Sequence, residues 1–126
     1  MTKGSFEVDD VAKLNYINVG ISSSTHGQDV PVTCLDDSGS ELCVINSSVL
    51  ERINDAERLG SVKIRGIVGQ LVECDLVRIY VRLMDDTYTN KSKVPVMCAV
   101  TDAANEQMIL PHDLVVSMQN TCNMVA

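Results

Sequence analysis

The chain has 126 residues, enough for one domain, and its 45% hydrophobic and 21% charged content is ordinary for a globular protein that buries a real core. A net charge of −7, from 10 Lys and Arg against 17 Asp and Glu, makes a poor partner for nucleic-acid phosphates, and no basic run, zinc-knuckle spacing or aromatic platform offsets it. No apolar run approaches the ~20 residues that cross a bilayer, and residues 1–10 lack the apolar core of a signal peptide.

Aromatic residues make up only 3% and Trp is absent, so the core must come from Val, Ile, Leu and Met. The β-branched members of that set favour sheet. The five Cys (Cys34, Cys43, Cys74, Cys98 and Cys122) are odd in number and form no Cys-x-x-Cys. A disulfide framework and a zinc site are therefore disfavoured. Four of them sit in apolar runs, where Cys acts as a small buried hydrophobe. Thiol catalysis would need a His held against a Cys, and nothing pairs His26 or His112 with one. The simplest setting for such thiols is a reducing, intracellular one.

Residues 14–21 and 30–35 predict two strands joined by a polar turn containing Gly27, with Pro31 near a strand start, where a missing donor is tolerated. An acidic turn follows, Asp36-Asp37-Ser38-Gly39-Ser40, and then a short apolar strand over 42–45. Asn46 or Ser47 is placed to cap a short helix over 48–54. The charges of 54–58 read as a loop closed by Gly60. Residues 61–65 and 72–83 alternate apolar and polar on either side of Gly66-Ile67-Val68-Gly69, which predicts a hairpin with a glycine-containing turn. Residues 85–93 are a polar loop, 94–100 a buried strand and 101–107 another turn. Ile109 and Leu110 form an apolar pair, and Asp113 suits the first turn of a closing helix over 113–118.

Asp-Ser-Gly alone is common turn chemistry. Between two apolar strands, followed by a glycine-containing hairpin and an Ile-Leu-x-x-Asp-Leu end, it resembles the retropepsin-like aspartic proteases of retroviruses and retrotransposons. The likeness spans residues 12–120, leaving 1–11 as a flexible N-terminal segment and 121–126 as a tail. Cys98-Ala-Val-Thr-Asp102 together with Ile109-Leu-Pro111 is most similar to the retrotransposon enzymes. The implied fold is all-β with one or two short helices, an acid-protease barrel forming half of a homodimer. One copy of Asp-Ser-Gly supplies one carboxylate, so the two-acid chemistry of the family would require a second chain across a two-fold axis.

The resemblance implies an aspartic endopeptidase that cleaves a polyprotein, with no metal or organic cofactor. Asp37 would be the catalytic acid, with Ser38, Gly39 and Ser40 supporting its loop. Gly39 would also allow backbone angles that a Cβ forbids. Gly66, Ile67, Val68 and Gly69 would form the flap over an extended peptide. The partners implied are a second copy and a polypeptide substrate, without nucleic acid or membrane, in the cytoplasm or inside a virus-like particle. This chain departs from the family at Asp36, where an apolar residue is usual, and at Pro111-His112, where Gly-Arg is usual. Strand alternation sets Asp36 on the face opposite Asp37, as a solvated acid or one that meets a cation. These departures favour the alternative of a catalytically weak or inactive dimerisation domain. A β-rich binding domain with Asp37 as a mere turn residue is the other alternative.

Overall fold

The computed structural model describes residues 15–65, 69–84 and 92–122. Seven strands and two short helices occur among them. They are β1 (Asn15–Ser22), β2 (Val30–Asp37), β3 (Cys43–Asn46), α1 (Ser47–Leu50), β4 (Glu57–Arg65), β5 (Leu71–Leu83), β6 (Val94–Thr101), β7 (Met108–Pro111) and α2 (His112–Cys122). The mainly β architecture is the one expected from the β-branched core. No helix among the described residues is long and apolar enough to cross a membrane.

The sheet runs β1-β2-β7-β3-β6-β5-β4, and β1 also pairs with β5, which closes the first six strands on themselves. β1 and β2 form the expected antiparallel hairpin, with Asn15 opposite Asp36 and Ile21 opposite Val30. β2 then lies parallel to β7, and β3 parallel to β6. β5 gives one edge to β6. Its other edge is shared, by β4 over Leu71–Arg78 and by β1 over Tyr80–Leu83.

The interior is aliphatic and sulfur-containing. Val19, Ile21, Cys34, Ile45, Ile79, Val81, Cys98, Met108 and Leu110 are all fully buried. Each such aliphatic side chain contributes about 1.5–3 kcal/mol over leaving it in water. Val115 and Met118 of α2 add to the same cluster, and the helix carries the expected Asp113 in its first turn. At the turn of the β1–β2 hairpin, Lys93 Nζ donates to Ser22 Oγ (3.0 Å) and to the Gly27 carbonyl (2.7 Å). Arg82 Nε donates to Asp29 Oδ2 at 2.9 Å. These bonds fix the hairpin at the end remote from Asp37.

Two expectations change. The charges of 54–58 do not make a loop up to Gly60, because β4 already begins at Glu57. Opposite charges on β5 pair with them: Arg58 with Asp75 at 2.8 Å, and Arg78 with Glu57 at 2.7 Å. A bulge between Arg58 and Gly60 is absorbed by Gly60 at φ +141°, a backbone angle that suits glycine. The helix expected over 48–54 is a single turn, Ser47–Leu50. Its cap is Asn46, whose Oδ1 accepts from the Ser48 N–H at 3.0 Å. Turns carry the chain on, bury Ile53, and reach Asp55 in the left-handed region at φ 63°.

Cys34, Cys43, Cys74 and Cys98 are free and buried. Burial pushes the Cys34 thiol up to about 12 from its ordinary 9.0. The unfolded chain therefore loses this proton first. The stability tied to it is whole below pH 9 and is lost as pH rises toward 12. Replacing Cys34 with Val should flatten the alkaline limb of a urea-stability profile. An unchanged limb would contradict this account.

Candidate active site

Asp37 is the last residue of β2, and the register fixes which way it faces. Leu35 lies opposite Ile109 and Asp37 opposite Pro111 in the parallel pair, while Val44 lies opposite Ile109 in the antiparallel one. Residues opposite one another, and those two apart on a strand, share a face. Asp37 therefore shares a face with Val44, Ile109 and Pro111, all half-buried. Asp36 takes the other face, with Leu110 and Cys34, which is the core side.

The turn after Asp37 is held by its own polar groups. Asp37 Oδ1 accepts from the Gly39 N–H at 2.9 Å, and the Asp37 carbonyl accepts from the Ser40 N–H at 3.3 Å. Ser40 Oγ donates to the Leu42 carbonyl at 2.7 Å. This is an Asx-type turn, in which a short acid bonds the backbone two residues on. Ser38 and Gly39 are exposed beside the half-buried carboxylate. Gly39 is not in the left-handed region, so the angles that only glycine allows are not used here. A Cβ there would meet only Asp37 Oδ1, at an ordinary 3.5 Å. What glycine supplies is an open approach to the acid.

Asp36 is not the solvated acid that the sequence suggested. Its side chain is 4% exposed, and its Oδ1 lies 2.8 Å from His112 Nδ1. Its Oδ2 accepts from Asn15 Nδ2 at 3.0 Å. Of the residues expected to form a flap, Gly66, Ile67 and Val68 lie outside the described residues. Gly69 is exposed at φ +88°, and its carbonyl accepts from Arg65 Nη1 across the hairpin turn. The hairpin register runs up to Arg65 opposite Leu71. Near that end the side chains of Leu71 and Val72 are 57% and 41% exposed.

That half-buried Val44 and Ile109 meet beside Asp37 was not legible in the sequence. Each reads as one apolar residue in a strand, and only the register brings them together. The Asp36–His112 contact had a signal: two departures from one family pattern in one chain.

No family model matches the sequence, and no curated protein matches it. Among solved structures, this chain is similar to the EIAV protease complexed with the inhibitor HBY-793. The TM-score is 0.61 and the identity 19%, over 93% of this chain and 97% of that one. At that identity the likeness concerns the backbone, and it extends over nearly the whole length of both chains. The chain has the fold of a retroviral protease.

Proposed function

We propose that this chain is one half of an aspartic endopeptidase of retroviral or retrotransposon type, completed by a second copy. The observation that carries the reading is Asp37. It ends a core strand in an Asx turn, on the face that carries Val44 and Ile109, within a fold like that of a viral protease.

Two Asp37 carboxylates facing each other across a two-fold axis share one proton, because like charges so close do not both ionise cheaply. Their titration belongs to the pair. The ionised member takes a proton from a water held between them. That water attacks the peptide carbonyl, and the protonated member donates to the carbonyl oxygen as charge develops there. Ser38 braces the pair across the axis. The Gly39 carbonyl and the glycine-containing segment 66–69 hold an extended peptide by main-chain hydrogen bonds. Leu71 and Val72, apolar and exposed at the start of β5, suit contact with such a chain. The substrate class is polypeptide, and a polyprotein is the natural case.

The test is incubation with a denatured protein, with and without a pepstatin-type statin, beside sedimentation at the same concentrations. The expected result is statin-sensitive cleavage at mildly acidic pH that tracks the dimer. A strict monomer, or cleavage indifferent to the statin, would refute the mechanism.

A further inference from the structure

Asp36 and His112 depart from the family pattern separately in the sequence and touch in the fold. Asp36 stands on the core face of β2, opposite Leu110 on one side and Asn15 on the other. A carboxylate there is tolerated only with partners, since burying an unpaired charge is expensive. It has two: His112 Nδ1 at 2.8 Å and Asn15 Nδ2 at 3.0 Å. An ionised carboxylate only accepts, so Nδ1 of His112 carries the hydrogen. His112 is half exposed and opens the first turn of α2.

The neighbouring rung explains why this bond sits where it does. Asp37 lies opposite Pro111, which has no N–H to give the ladder. The β2–β7 ladder thus ends weakly beside the proposed catalytic acid. The side-chain bond from Asp36 to His112 ties that strand end to the helix instead. We propose that Asp36 and His112 are a positioning pair that aims the Asp37 carboxylate. The pair acts through the backbone of β2 and touches neither the attacking water nor the peptide. This proposal rests on the proteolytic reading above.

The partners are not equivalent. His112→Ala strips a buried carboxylate of one donor, whereas Asp36→Leu restores an apolar residue on a core face and leaves a half-exposed imidazole. The test measures kcat and KM per statin-titrated site for wild type, His112→Ala, Asp36→Leu and the double variant. It adds ¹⁵N NMR of His112 at neutral pH. For His112→Ala, kcat should fall roughly 10- to 100-fold with little change in KM, the scale of a misaimed group. The double variant should recover most of that loss. In the wild type, Nδ1 should carry the hydrogen, and in Asp36→Leu this preference should disappear.

A folded His112→Ala dimer with wild-type kcat would overturn the positioning role while leaving the protease standing. So would a double variant no better than His112→Ala. A wild-type His112 bearing its only hydrogen on Nε2 would remove the bond itself. A wild type that cuts nothing would instead sink the proteolytic reading, and the positioning role with it.

Discussion

Asp37→Asn should abolish peptide cleavage while the fold and the dimer survive. The amide has nearly the shape of the carboxyl, and its oxygen can still accept from the Gly39 N–H, as Asp37 Oδ1 does at 2.9 Å. It cannot take a proton from water. In a symmetric dimer the substitution removes both acids at once, so neither a base nor an acid remains. General acid–base catalysis contributes about 10²- to 10⁴-fold, and turnover should drop by at least about 10³-fold. The check is initial rates on a peptide library, with circular dichroism and sedimentation on the same sample. Equal rates for variant and wild type would rule out Asp37 as the acid. Loss of the dimer together with loss of rate would leave a structural role in its place.

The largest expected effect on stability is at Leu110→Ala. Leu110 is fully buried, pairs with Asp36 across the parallel ladder, and belongs to the main hydrophobic cluster. Truncation removes buried methyl groups and leaves a cavity that a closed barrel is poorly able to collapse. The loss should be about 2–5 kcal/mol. Domains of this kind hold about 5–15 kcal/mol in total, so the variant should sit near the edge of folding at physiological temperature. A shift in the urea midpoint at constant m-value measures it. A loss under about 1 kcal/mol would mean that β7 is not the centre of the core, since most buried Leu truncations exceed that.

Most strands were legible to within a residue or two, because alternation and apolar runs are local signals, but the start of β4 at Glu57 and the short β7 were not. The β1–β2 and β4–β5 hairpins were legible too, since short connections join their strands. The parallel pairs were not. Cys34 meets Met108 and Cys43 meets Cys98 across long stretches of chain, and no periodicity encodes that. The run from Asn54 to Arg58 misled for a physical reason: charges that meet opposite charges across a ladder resemble loop charges until the partner strand is known. At the candidate site, the turn at Asp37 was legible because its chemistry is written in adjacent residues. Asp36 was misread as solvated. Its partners Asn15 and His112 are remote in sequence, and a carboxylate on a core face looks wrong until both are in place.

The double engagement of β1 has a consequence for how the molecule assembles. Ile21 is opposite Val30 on one side and Val81 on the other. The first bond is nearly local, but the second waits for a strand that emerges far later during synthesis. Closure of the ring also requires β7, near the other end of the described chain. Such non-local contacts slow folding, because loop entropy is lost before the contact rewards it. A nascent chain with β1–β5 exposed and β7 still inside the ribosome has an open cylinder and no floor beneath Asp36 and Asp37. The turn at Asp37 would therefore be set in place last, long after the residues that form it have been made.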